Sequence, residues 1–140
     1  MKEDCIFCKI AKGEIHSATV YEDSHFTVIL DVNPATKGHC LIIPKEHFDN
    51  IYDLDGETAG KLFALATCIA RAMRDALKCD GLNLVQNNGE IAGQTVNHFH
   101  LHLIPRYEGD GLNLNWPQQE ISAEPVSYTH LRAHETCADL

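Results

Sequence analysis

Two periodicities divide the chain. From Thr58 to Leu77, the residues Leu62, Leu65, Ile69, Met73 and Leu77 recur at three- and four-residue spacing, which places them in one stripe of an amphipathic helix. Asp55 stands where an N-cap belongs, and Gly81 lies where the chain can leave the helix. Elsewhere the period is two. "HFTVILD" (25–31) alternates Phe26, Val28 and Leu30, the pattern of a half-buried strand. "NPATKG" supplies turn formers, and "HCLIIP" predicts a second strand stopped at Pro44, so the pair reads as an antiparallel hairpin. "LNLVQN" and "HFHLHLIP" predict two more strands, separated by the glycine-containing loop "NGEIAGQT". The order is a short N-terminal segment, two or three strands, one long helix, then two strands. That is an α+β chain with its helix on an antiparallel sheet. After Trp116 neither period persists, which predicts a domain over 1–116 and an irregular tail over 117–140.

At 140 residues, 44% of them hydrophobic, one domain can bury a core. No apolar run reaches membrane-spanning length, and the start "MKEDCIFCKI" is acidic and broken by cysteines, unlike a secretory signal. The simplest compartment is the cytosol. A formal charge of −9 without a Lys/Arg cluster argues against a nucleic-acid backbone as partner. It leaves room for a small nucleotide held by backbone N–H groups and neutral side chains. In such a chain six cysteines read as metal ligands or small core groups rather than a disulfide framework. Cys40 and Cys68 read as core packing, and Cys79 is left unassigned.

The chemistry concentrates in "NHFHLHLIP" (97–105), where His98, His100 and His102 alternate with Phe99, Leu101 and Leu103. A strand puts the three rings on one face with the apolar set behind them. They can hold a metal, since histidines two apart can share a zinc, or one neutral imidazole can attack phosphorus while a neighbour polarises the phosphate. "CIFC" offers Cys5 and Cys8, half a zinc site, with His47 and His98 available to complete it; a chance pair is the bland alternative. The loop before the triad supplies Asn87, Gly89, Gly93, Gln94 and Thr95, a weak phosphate-binding signal without a G-K-[ST] element. Asp31 ends a strand, either as a turn former or as a carboxylate for a ribose diol. His130, His134 and Cys137 have metal-like spacing in the tail but no ordered context, and are set aside.

Together with "CIFCKIAKGEI", "VYED", "LDVNPATKGHCLIIPKEH" and "NNGEIAGQTVNHFHLHLIPR", the triad closely resembles the histidine triad (HIT) superfamily, and within it the bacterial proteins of the Hint branch, from Cys5 to Trp116. The resemblance implies a HIT fold, with an antiparallel sheet of about five strands, one long helix and a short N-terminal helix. It implies that His100 is the nucleophile that forms a nucleotidyl-histidine and that His102 binds the phosphate. Asn87, Gly93 and Thr95, with Gln94 in the same loop, match phosphate-side contacts, and Asp31 the ribose contact. Ile6, Phe7, Ile10, Leu30 and Val32 fall where the family packs the base. Cys5, Cys8, His47 and His98 match a structural zinc site, and a homodimer is implied. The expected activity is hydrolysis or transfer on purine nucleoside phosphoramidates or related phosphate derivatives. A dinucleoside polyphosphate hydrolase, a non-catalytic nucleotide-binding module and a metalloenzyme using all three triad histidines are the alternatives. The tail departs from the charged C-terminal helix usual in bacterial relatives. A divergent terminus, a truncated frame and foreign read-through sequence are its open explanations.

Overall fold

The structure, a computed structural model, describes residues 2–120; the tail from 121 onward, including His130, His134 and Cys137, lies outside the described residues. The chain forms α1 (Ile6–Ala11), β1 (Thr19–Glu22), β2 (Phe26–Leu30), β3 (Cys40–Pro44), α2 (Gly56–Leu77), β4 (Gly81–Val85), a 3-10 turn (Glu90–Ala92) and β5 (Leu101–Arg106). The strands make one antiparallel sheet in the order β1-β2-β3-β5-β4. Placing β5 between β3 and β4 brings the triad segment to the middle of the sheet.

The period-two set of the sequence explains one face. Phe26, Val28, Cys40, Ile42, Phe99, Leu101 and Leu103 form the main core, closed by Leu62, Ala66 and Met73 of α2 with Leu65, Ile69 and Leu77 at its margin. Asp55 caps α2 as expected, its carboxylate accepting from Thr58 N at 3.0 Å.

Three expectations need correction. β2 is not half-buried: the alternate set Ile29, Leu41 and Ile43 is covered too, because Phe7 of α1 packs on it to form a second, smaller core. Each such side chain fully buried contributes roughly 1.5–3 kcal/mol. That second face is also where the chemistry lies. The helix leaves at Lys78, in the left-handed region at φ 55°, while Gly81 already opens β4. Cys68 is exposed, since its helical position falls outside the 62–65–69–73 stripe; Arg71 donates to its sulfur at 3.6 Å. Cys40 is buried as expected.

The β2–β3 turn has one close approach. Gly38 has φ 91°, and a Cβ there would come within 2.5 Å of Leu77 Cδ1, so only glycine lets this turn lie against the end of α2.

Candidate active site

α1 and the loop after it close over the second face of the sheet and leave a slot of about 330 Å³. Among the expected residues Ile6, Phe7, Ile10, Leu30, Asp31 and Val32 line it. So do Thr95, His100 and His102. Val32 is 87% exposed, so its apolar side chain is a slot wall and not core. Asn87, Gly93 and Gln94 do not line the slot. Gln94 is buried and fully occupied in holding the loop: its Nε2 donates to Asp49 O at 2.6 Å and Val96 O at 3.0 Å, and its Oε1 accepts from Gly89 N at 2.8 Å. Gly93, at φ 98°, lies against Asn87, whose Nδ2 would be 3.4 Å from a Cβ.

The strand of three rings is two pieces. β5 begins only at Leu101, so His98 and His100 precede it, and the extended alternation still separates Phe99 and Leu101 into the core. Hydrogen bonds then give each ring a definite tautomer. His100 Nδ1 lies 2.7 Å from His98 O. A carbonyl only accepts, so Nδ1 carries the proton and Nε2 keeps its lone pair. Burial lowers the His100 pKa below the ordinary 6.5, which holds the ring neutral. Phe7 packs edge-on against it, with centroids 5.0 Å apart.

His102 is set the opposite way, through a residue the sequence analysis missed. His39, buried at 5% exposure, accepts from Ala35 N at its Nδ1 (2.9 Å), so its own proton is on Nε2. That proton is donated to His102 Nδ1 at 2.9 Å, which leaves neutral His102 with its N–H on Nε2. Burial, then the neighbouring His100 and His39, push His102 down to about 4. Asp31 Oδ2 lies 3.5 Å from His39 Nε2 and 4.0 Å from His102 Nδ1, and Oδ1 accepts from Asn33 N at 2.8 Å. Asp31 thus forms the turn and faces the histidines at once. Asp31, His39 and His102 are close enough to suggest a metal site. The tautomers argue against it, because a metal on His39 Nε2 would leave that ring without a proton unless the Ala35 bond broke. His39 had one usable signal: it continues the Ile43–Leu41 alternation on the face that carries His102. The slot residues Ile15, His16 and Ser17 come from a loop with no period to read.

His98 belongs to a different cluster. Its Nε2–H donates to Pro44 O at 2.8 Å, and His47 Nε2–H donates to Asp49 Oδ1 at 2.7 Å. Both Nδ1 lone pairs therefore face inward, 3.1 Å apart, with Cys8 Sγ 3.3 Å from His47 Nδ1 and Cys5 Sγ 3.3 Å from His98 Nδ1. Burial pushes His98 down to about 4, which keeps its ring neutral, the form that could bind a metal. All four donor atoms lie within 4.8 Å of one another. Two thiols and two imidazoles facing one point, each imidazole held from behind by its own hydrogen bond to Pro44 O or Asp49, make a donor set that suits a tetrahedral zinc ion.

A five-stranded antiparallel sheet carrying this histidine arrangement defines a class, and comparison with known proteins gives its family. Residues 12–109 match the HIT domain family, and the chain belongs to it. It is 54% identical over 110 residues to "Protein hit" of Bacillus subtilis, covering 78% of this chain and 76% of that protein. Adenosine 5'-monophosphoramidase HNT1 of Saccharomyces cerevisiae is 44% identical over 102 residues, 73% of this chain and 62% of that one. Adenylylsulfatase HINT3 of Arabidopsis thaliana is 40% identical over 110 residues, 79% and 56% of the two chains. Among solved structures, a HIT family protein from Bacillus anthracis superposes with a TM-score of 0.84 at 44% identity, covering 99% of this chain and 98% of that one. A Zn-bound histidine triad family protein from Mycobacterium smegmatis gives 0.75 at 39% identity, covering 97% and 96%. Among the described residues no helix is long and apolar enough to cross a membrane.

Proposed function

We propose that the chain is a nucleotide hydrolase or transferase that cleaves purine nucleoside phosphoramidates or related nucleotide phosphate derivatives through a nucleotidyl intermediate on His100. The observation that carries this reading is the pair of opposed tautomers: a lone pair on His100 Nε2 beside an N–H on His102 Nε2, both rings lining one slot. One is a nucleophile, the other a donor for a phosphoryl oxygen. The relatives named as a monophosphoramidase and an adenylylsulfatase act on the same chemical class, an adenylyl group with a nitrogen or sulfate leaving group.

In the proposed reaction His100 Nε2 attacks the α-phosphorus and the P–N bond breaks, its electron pair leaving on the amine. Water then attacks phosphorus, the P–Nε2 bond breaks, and the nucleoside monophosphate departs. In the first step the departing nitrogen takes a proton from solvent; in the second the attacking water leaves its hydroxyl on phosphorus and returns a proton to solvent, so one water is consumed overall. His102 Nε2–H, held by the His39 relay, stabilises the charge on the phosphoryl oxygen. Asp31 binds the ribose, and Ile6, Phe7, Ile10, Leu30 and Val32 enclose the base. Thr95 lines the slot on the phosphate side, and Asn87, Gly93 and Gln94 belong to the loop that leads into it. Cys5, Cys8, His47 and His98 would hold zinc, which would stabilise this fold as a closed four-ligand ion. The homodimer and cytosolic location expected from the sequence are part of the same proposal.

The test is a panel of adenosine and guanosine phosphoramidates, adenylyl sulfate and dinucleoside polyphosphates. The expected result is nucleoside monophosphate release, fastest from the phosphoramidates. Preference for the polyphosphates would favour the alternative hydrolase, and tight AMP binding with no turnover of any substrate would favour a binding module.

A pH profile tests the electrostatics. His100 loses its lone pair only when protonated, and its pKa is depressed by burial. Activity is therefore expected to persist as pH falls through the ordinary 6.5 and to decline only below it. The measurement is kcat/KM from about pH 4.5 to about pH 8. An acid limb centred at or above the ordinary value would contradict the buried neutral nucleophile.

A further inference from the structure

The backbone that follows β3 lies between the four-ligand cluster and the loop that leads to Thr95. A cavity of about 360 Å³ is lined at once by Cys5 and His47 of the cluster and by Thr95 and Val96 of the loop. Thr95 and Val96 also line the slot. Hydrogen bonds tie residues 48–51 to the 88–99 segment in three places. Phe48 O accepts from Phe99 N at 2.6 Å, Asp49 O accepts from Gln94 Nε2 at 2.6 Å, and Asn88 Oδ1 accepts from Ile51 N at 2.7 Å. At Asp49 both ends are engaged. Its carbonyl holds the Gln94 amide, while its carboxylate accepts from His47 Nε2–H at 2.7 Å and leaves His47 Nδ1 for the cluster. Asp49 N donates to Asp53 Oδ2 at 3.0 Å, which fixes the backbone between those two ends. The Lys2 ammonium lies 3.4 Å from the same carboxylate oxygen, but both side chains are largely in water, so this pair adds little.

Resting on the readings of the cluster as a zinc site and of the slot as a nucleotide site with Thr95 on its phosphate side, we infer that Asp49 is a positioning residue that couples the two. With His47 Nδ1 bound to metal the ring is fixed, and the ring fixes the Asp49 carboxylate. The Asp49 carbonyl then holds Gln94, which directly precedes Thr95. Metal and phosphate favour the same arrangement of residues 47–51, so each strengthens the binding of the other by the same factor. This path is separable from the one through α1. That helix carries Ile6, Phe7 and Ile10, which enclose the base, so its ordering acts on adenosine and AMP alike. The Asp49 path ends at Thr95 and acts on the phosphate. The difference between AMP and adenosine isolates it.

The experiment is zinc partition at equilibrium between the full-length protein and a competing chelator. It is run alone, with saturating adenosine and with saturating AMP, against a protein-free blank for metal held by AMP itself. AMP is expected to raise zinc affinity about five-fold more than adenosine does. Asp49→Ala, at a side chain 45% exposed and so tolerant of truncation, is expected to lower zinc affinity about ten-fold. It should also bring the AMP and adenosine values within about two-fold of each other. Asp49→Asn keeps an oxygen for His47 and is expected to retain the AMP excess. Gln94→Met keeps the length of the side chain, removes the N–H given to Asp49 O, and is expected to abolish the excess. A residue that only supports the fold would shift zinc affinity equally in all three conditions. Equal zinc affinities with adenosine and AMP in the unmodified protein overturn the inference. So does an AMP excess that survives both Asp49→Ala and Gln94→Met, which would route the coupling through His98 and His100. Calorimetry that detects no AMP binding refutes the nucleotide reading, and a protein that takes up no zinc refutes the metal reading; the inference falls with either.

Discussion

Replacing His100 with alanine is expected to lower kcat/KM for an adenosine phosphoramidate by about four orders of magnitude. Affinity for AMP should change by less than about three-fold. The asymmetry follows from the geometry. His100 contributes a lone pair that matters when the bond to phosphorus forms, whereas the slot is walled by Ile6, Ile10, Leu30 and Val32 and ended by Asp31 and His102, all of which remain. Zinc content should be unchanged, because His98 is oriented by Pro44 O and not by the His100 ring. The ring is buried against Phe7, so truncation costs some stability, and His100→Gln is the less disruptive companion. Steady-state kinetics and calorimetric AMP binding on both variants check the result. Turnover that survives in both removes His100 from the nucleophile role.

The second large effect concerns the four-ligand cluster. Cys8→Ser is expected to reduce bound zinc from one ion per chain to nearly none. It should lower the melting temperature by about 10 °C or more, because metal affinity at a closed site is folding free energy. AMP binding should weaken too. α1 carries Cys8 together with Ile6, Phe7 and Ile10, so releasing the ligands loosens the helix that roofs the slot. Cys8 is fully buried, and chelation of the unmodified protein separates metal loss from core damage. Elemental analysis and thermal melting supply the readouts. Full zinc retention in Cys8→Ser, or a melting temperature indifferent to chelation, would contradict the assignment.

The helix α2 and the main core were legible because one periodicity served one burial requirement. Leu62, Ile69 and Met73 face the sheet, and Phe26, Val28 and Ile42 face the helix. What the alternation concealed was the other face. Thr27, Ile29, Leu41 and Ile43 occupy polar-side positions of a half-buried strand, and their burial depends on α1, a helix of six residues too short to announce itself by period. β1 was visible only through resemblance, since all four of its residues are exposed at a sheet edge. At the site, residue types and spacing pointed to His98, His100 and His102, but their tautomers depend on backbone carbonyls and on His39, which spacing along the chain does not reveal. Gln94 illustrates the reverse error. A polar residue in a glycine-containing loop reads as a ligand contact, while its amide is consumed by three bonds to backbone.

The proposed reaction requires that His100 Nε2 become bonded to phosphorus. Quenched-flow mass spectrometry of the intact protein under turnover, followed by peptide mapping, measures this directly. The expected result is an acid-labile nucleotidyl adduct on His100 that forms and decays fast enough to carry the steady-state rate, and that is missing in His100→Gln. Sustained turnover with no adduct at any quench time, or an adduct on another residue, would contradict it.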